Sequence, residues 1–314
     1  MKIHRNIDVL PDFTKAVITI GTFDGVHLGH SHIFKQMRQE AQHIGGESVV
    51  ITFHPHPRMV LANHDIKLLN TLEEKLELLG RQPVDHVVVV PFTLEFSEQS
   101  AVNYIKDFII KYFHPQVIIT GYDHHFGKDR SGNYLLLEKF AGAYNYVVKE
   151  IPEHVMEEAA ISSTRIRNSL LTGDIKLANE LLGYPYFFEG KVIEGNKIGR
   201  TIGYPTANII VDDANKIIPA DGVYAVEVQI EQQPVLLPAI MSIGIRPTIT
   251  SSGRHIEVHL LDFNRNIYDQ SLRIYLKHFL RSEKKFTDLN ELKEAIAEDE
   301  KIARTMLTSD KFNA

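Results

Sequence analysis

The chain has 314 residues, 44% hydrophobic and 24% charged, enough for two domains that each bury a core. It contains no cysteine, which excludes disulfides, thiolate catalysis and cysteine-ligated metal sites. Its formal charge of -6 gives no basic footprint for bulk nucleic-acid binding.

The opening "MKIHRNIDVLPDF" has no apolar signal core, and no window approaches the roughly 18 apolar residues of a spanning helix. A cytoplasmic protein working away from the membrane is expected. Short apolar runs then alternate with helix-like patterns: "AVITI" (16–20) before 29–43, "SVVITF" (48–53) before 71–80, "HVVVV" (86–90) before 100–112, "QVIIT" (116–120) before 133–142. Strands apolar on both sides are those of a parallel sheet covered by helices on its two faces, which predicts a doubly wound α/β fold. After "NYVVKEIP", the segments "SSTRIRNSLLTG" and "DIKLANELLG" read as helices closed by glycine. From 186 to 280 the pieces are β-like: "YFFEGKVIEG", "GVYAVEVQI", "PVLLPAIMSIG", "RHIEVHLLDF" and "SLRIYLKHFL". Five or six such strands predict an antiparallel β-barrel. "FTDLNELKEAIAEDEKIARTML" closes the chain as an amphipathic helix capped by Thr287 or Asp288. The change of pattern near Gly183 to Pro185 predicts domains 1–183 and 184–314.

"GTFDGVHLGH" (21–30) lies at the carboxyl end of the first apolar run, where open α/β sheets bind ligands. Gly21 lets the backbone approach a phosphate, and the helix start near Leu28 presents free N–H groups to anions. The stretch is neither a Walker loop nor GxGxxG. On residue type alone His27 and His30 stay open between a metal pair, ordinary loop histidines and a phosphate cradle. In "ISSTRIR" (161–167), Ser162, Ser163, Thr164 and Arg167 open a helix, so hydroxyls, N–H groups and a guanidinium can converge on an anion.

"GTFDGVHLGH" resembles the GxFDGxHxGH signature of HIGH-type nucleotidyltransferases, and "ISSTRIR" resembles their second phosphate-binding motif. "TFHPHP" (52–57) and "GYDHHFG" (121–127) are similar to two blocks of prokaryotic FAD synthetases. This resemblance implies ATP or phosphate binding by Gly21, Phe23, Asp24, Gly29, Ser162, Ser163 and Thr164, and catalysis by His27, His30 and Arg167. It further implies flavin or nucleotide binding by His54, Pro55, Asp123 and Phe126, with His124 standing where the family has an aromatic residue.

In "GNKIGRTIGYPTANI" (195–209), Thr206 and Asn208 are two apart, so on a strand they face one way and offer neutral oxygens suited to Mg²⁺. Gly195, Gly199 and Gly203 let the loop approach phosphates. The stretch resembles the GxxxGRxxGxPTAN signature of riboflavin kinase, and "GVYAVEV", "SIGIRPTI", "IEVHLLDF" and "FLRSEKKF" follow in the order of that family's later blocks. Taken alone, Glu257 is a polar residue on the wet face of an alternating strand. The resemblance makes it the base that takes the proton of the riboflavin 5′-hydroxyl. Ile249 and Asp269 depart from the family pattern at a packing position and a turn.

The resemblance covers about residues 14–305 and implies the bifunctional riboflavin kinase/FAD synthetase family, which phosphorylates riboflavin to FMN with ATP and then adenylylates FMN to FAD, releasing pyrophosphate. Its implied partners are riboflavin, FMN, ATP and Mg²⁺, without nucleic acid or membrane. The first two motifs alone also fit a transferase for another phosphate monoester, such as phosphopantetheine, or an aminoacyl-tRNA synthetase. The kinase-like half argues against both. A flavin-binding module without chemistry is the non-enzyme alternative, and oligomeric state and FMN transfer between domains are left open.

Overall fold

The structure is a computed structural model. It describes residues 1–61, 66–121, 124–151, 161–195, 199, 202–231, 233–245 and 254–312, the side chains of 311 and 312 excepted. The chain forms two compact units, Met1–Ser163 and Thr164–Ala314.

In the first unit β1 (Lys2–His4), β2 (Val17–Ile20), β3 (Ser48–His54), β4 (His86–Pro91), β5 (Val117–Gly121) and β6 (Val147–Ile151) form one sheet. Their order is β1-β4-β3-β2-β5-β6, with every neighbouring pair parallel. β2 is buried along its length and β3 as far as Phe53, as strands between two helical layers must be. The helix Leu28–Ile44 buries Ile33, Phe34, Met37 and Ala41, a spacing that puts one apolar stripe on the sheet. Phe34 and Met37 are wholly buried, and each such side chain contributes about 1.5–3 kcal/mol by leaving water.

β2, β3 and β4 build outward to one side, and β5 then pairs on the other side of β2. The strand order therefore reverses between β2 and β5, the point beyond whose carboxyl ends such sheets hold ligands. The "GTFDGVHLGH" loop leaves β2 at that point. The helix expected over 100–112 is present but changes register: Ala101–Asn103 is α-helical, Tyr104–Ile110 is a π-helix and Lys111–Phe113 is α-helical again. The wider turn buries Tyr104, Ile105, Phe108 and Ile109 together.

In the second unit the helices Ser163–Thr172 and Ile175–Leu182 end before Gly173 and Gly183, both at φ +80°. Asn179 ties them to the barrel: its Nδ2 donates to Leu276 O at 2.9 Å, and its Oδ1 accepts from Tyr186 N at 2.7 Å. The division between compact units thus falls at the start of these helices, whereas the change of sequence pattern falls at their end.

β7 (Phe187–Ile193), β8 (Ala207–Ile210), β9 (Gly222–Ile230), β10 (Leu236–Ile245), β11 (Arg254–Leu260) and β12 (Ser271–Arg281) close an antiparallel barrel in the order β10-β11-β8-β7-β12-β9. Closure pairs both edges, and β12 meets β9 across two register shifts that bend it around the barrel. The terminal helix Leu289–Phe312 is capped by Asp288, whose Oδ1 accepts from Asn290 N at 2.8 Å and Glu291 N at 2.9 Å. Its Ala303 and Leu307 pack on Val223, Ala225 and Ile240 of the barrel.

Candidate active sites

The first site grows from the loop after β2. Gly21 N donates to Ile51 O at 3.0 Å, extending the β2–β3 pairing by one step. A β-carbon on Gly21 would lie 2.9 Å from the Phe23 ring, so that ring and that backbone require glycine. Phe23 and Val26 then sit at φ +46° and +38°, a left-handed conformation that costs a side-chain residue on the order of 1–3 kcal/mol. Phe23 is buried against His30 and Phe34, a wall of the site and not an exposed stacking face.

The surrounding groups hold this strained loop. Asp24 is 4% exposed, and its carboxylate accepts from Leu69 N at 3.1 Å and Asn70 N at 3.3 Å. The main-chain oxygen of Asp24 accepts from Ser163 Oγ at 2.8 Å. That bond joins "GTFDGVHLGH" to "ISSTRIR" across most of the first unit's sequence. Thr164 and Arg167 follow on the helix that Ser163 begins, with Ser162 exposed just before it.

His27 caps the helix Leu28–Ile44: its Nδ1 accepts from His30 N at 3.4 Å, and the two rings stack 3.6 Å apart at 17°. Gly29 lets the His27 ring approach its backbone. Burial first, then the neighbouring His27 and Lys75, hold the His30 pKa well below the ordinary histidine value. A neutral imidazole results at neutral pH. His30 Nδ1 is shielded from solvent and makes no hydrogen bond among the described residues, an orphaned polar atom of the kind a bound ligand satisfies.

His54 ends β3, is exposed, and is joined to exposed Pro55 by a cis peptide bond. Phe126 is buried on Tyr104, with ring centroids 5.0 Å apart, and His124 leans over it at 5.8 Å. Asp123 lies outside the described residues, as does Ile249.

The second site is built on the barrel. The β8–β11 register sets Glu257 directly opposite Asn208, and Thr206 Oγ1 donates to Glu257 Oε2 at 3.1 Å. Thr206, Asn208 and Glu257 are therefore brought together, the last by strand pairing rather than by sequence spacing. A β-carbon on Gly195 would overlap the Asn208 amide, so only glycine lets that loop pass. Gly199 O accepts from Tyr204 N at 2.8 Å, and Gly203 at φ +92° completes the turn. Thr206, Glu257, Ser242 and Arg281 line one cavity with Gly199 and Tyr204. Among the described residues no cluster of three or more His, Asp or Glu side chains is placed to hold a metal.

The family model for FAD synthetase matches residues 10–165 and the model for riboflavin kinase matches residues 182–307. The bifunctional riboflavin kinase/FMN adenylyltransferase of Haemophilus influenzae is 36% identical over 93% of this chain and 94% of its own. The protein of that name from Listeria monocytogenes is 38% identical over 92% of this chain and 91% of its own. The chain belongs to the bifunctional riboflavin kinase/FMN adenylyltransferase family. A crystal structure of a macrolide-efflux protein from Streptococcus pneumoniae is also similar, with a TM-score of 0.87 and 31% identity over 96% of this chain and 98% of that one. Among the described residues no helix is long and apolar enough to cross a membrane.

Within this family member, two buried charged arrangements beside the sites escape sequence reading. Arg281, on the cavity wall, is held by Asp299 of the terminal helix through two hydrogen bonds of 2.9 and 2.8 Å. Lys75 lies beneath the first site's loop, buried at 8% exposure. A signal for Lys75 does exist: Leu72, Lys75, Leu76 and Leu79 share one helical face, so the lysine stands in an apolar stripe. The preceding Glu73 and Glu74 disguise it as part of a solvated charge run.

Proposed function

We propose that the two activities are divided between the two parts of the chain, adenylyl transfer in residues 1–183 and phosphorylation in residues 184–314. Together they convert riboflavin and ATP to FMN and ADP, then FMN and ATP to FAD and pyrophosphate. The observation that carries this reading is the carboxylate of Glu257, opposite Asn208 and bonded to Thr206. A neutral hydroxyl needs a base, and here one stands beside the phosphate-type loop.

In the barrel, Glu257 takes the proton as the riboflavin 5′-oxygen bonds to the γ-phosphorus and the bond to ADP breaks. Thr206 and Asn208 would hold Mg²⁺, their neutral oxygens being hard donors of the kind it prefers. When bound, Mg²⁺ screens the charge of the phosphate oxygens. Gly195, Gly199 and Gly203 let the backbone approach those phosphates.

In the parallel-sheet unit, the FMN phosphate is already an anionic nucleophile, so its oxygen bonds to the α-phosphorus of ATP without a base as the bond to pyrophosphate breaks. His27, His30, Ser162, Ser163, Thr164 and Arg167 bind and orient the triphosphate, with Gly21, Phe23, Asp24 and Gly29 shaping its loop. His54, Pro55, Asp123 and Phe126 serve the flavin or nucleotide end, Phe126 as the buried support of His124. Riboflavin, FMN and ATP are the partners, and the use of ATP with the lack of cysteine supports a cytoplasmic location.

Incubating the purified chain with riboflavin, ATP and Mg²⁺ and separating products by chromatography tests this. FMN and FAD are expected, both stopping on chelation and returning with Mg²⁺. Formation of neither flavin, or full activity in chelator, contradicts the reading.

A further inference from the structure

The helix Leu72–Gly80 carries Lys75 to the carboxyl ends of β2 and β3. Its buried ammonium donates to Thr22 O at 3.1 Å, Thr52 Oγ1 at 3.1 Å and Phe53 O at 3.3 Å. All three acceptors are uncharged, so these bonds orient the ammonium, and the buried Asp24 carboxylate in the same cavity offsets its charge only in part. Thr22 O also accepts from Thr52 Oγ1 at 3.1 Å. One carbonyl of the nucleotide loop is thus gripped twice just before the left-handed Phe23, and the next but one, that of Asp24, is gripped by Ser163. A strained loop held at several points is a loop whose shape matters to something that binds on it.

The surroundings point the same way. Lys75 shares a cavity with Asp24, His54, His56 and Asn70. The Asn70 side chain, 4% exposed, has no hydrogen-bond partner for either its nitrogen or its oxygen among the described residues. With the orphaned His30 Nδ1, this leaves unpartnered buried polar atoms on two side chains, among the described residues. A protein tolerates a buried cation next to unfilled polar groups where a bound anion completes the arrangement.

We propose that Lys75 is a positioning residue of adenylyl transfer: it fixes the Thr22 carbonyl and with it the Gly21–Val26 loop, and its charge favours the triphosphate on that loop. This rests on the placement of adenylyl transfer in the first unit. Burial lowers the Lys75 pKa to about 8, with Asp24 acting in the opposite direction. The groups facing it are Asp24 and His30 from the loop and first helix, His54 at the end of β3 and His56 beyond it. As pH rises through about 8 the ammonium loses its proton, so FAD formation declines there while the barrel's phosphorylation does not follow.

The test uses Lys75→Met and Lys75→Gln in the full chain, with riboflavin phosphorylation as the internal measure of intact protein. Both variants are expected to lower kcat for FMN adenylylation by roughly 10- to 100-fold and to lose the decline above pH 8, while phosphorylation stays within about twofold. Lys75→Gln keeps an N–H donor without the charge, so it should recover the melting temperature more than the rate. If both variants adenylylate FMN within about twofold of the parent with its pH profile, or if Lys75→Gln restores the rate in full, the proposal is overturned. His30→Ala in parallel separates the two levels: unchanged FAD formation in it removes the site assignment itself, and the Lys75 role with it.

Discussion

In the parallel-sheet unit, His27 and His30 stack at the head of a helix while the carboxylate of Asp24 accepts main-chain N–H groups. In the barrel, the carboxylate of Glu257 faces Asn208 and holds the Thr206 hydroxyl. On the proposed division of activities, one chain gives its carboxylates different work according to the nucleophile. A phosphate brings its own charge and asks only for position and anion stabilisation, whereas a hydroxyl asks for a base.

The largest expected effect breaks the barrel side of this contrast. Glu257→Ala should lower FMN formation by roughly 10²- to 10⁴-fold and leave conversion of supplied FMN to FAD within about twofold. His30→Ala should do the reverse, lowering FAD formation by roughly 10²-fold while FMN formation persists. Loss of both steps in both variants, with folding checked by circular dichroism, contradicts the division of labour.

Smaller effects sharpen the comparison through stability. Asp299→Ala leaves the half-buried Arg281 guanidinium without its two carboxylate bonds, and a loss of about 1–3 kcal/mol is expected from denaturant unfolding followed on the barrel. Smaller still is a pH effect confined to the first unit. His30 is held neutral in the folded chain but binds a proton near pH 6.5 when unfolded, so the unfolded state carries more protons as pH falls below that value. Stability of the first unit should fall with pH there, and His30→Ala should flatten the dependence of its unfolding midpoint. An equal dependence in the variant removes His30 as its source.

The parts legible in the sequence are those with short-range signals. Apolar runs gave β2 to β5 within a residue or two, because a strand covered on both faces tolerates nothing else. β1 is a three-residue polar edge strand, and its "KIH" carries no period to read. The π-helix at Tyr104–Ile110 was likewise hidden, since burial of four side chains by a wider turn is a tertiary choice. In the barrel, the alternating strands were plain, but their closing order depends on register shifts in β12 that no local pattern encodes. The two-residue spacing of Thr206 and Asn208 predicts a common face, whereas the arrival of Glu257 opposite Asn208 requires pairing between distant strands. The burial of Asp24 and Phe23, with Asp24 accepting from Leu69 N, is likewise set by residues outside their own motif. No local pattern marks Lys75 as a group that holds the loop, because its acceptors come from two other strand ends.

The most direct test of two separate sites is a mixing experiment with Glu257→Ala and His30→Ala as full chains, given riboflavin, ATP and Mg²⁺ and followed by chromatography. Glu257→Ala alone should leave riboflavin unconverted, His30→Ala alone should accumulate FMN, and the mixture should form FAD. A mixture that still stops at FMN, or a single variant that carries riboflavin through to FAD, would contradict the assignment of the two reactions to two independent sites.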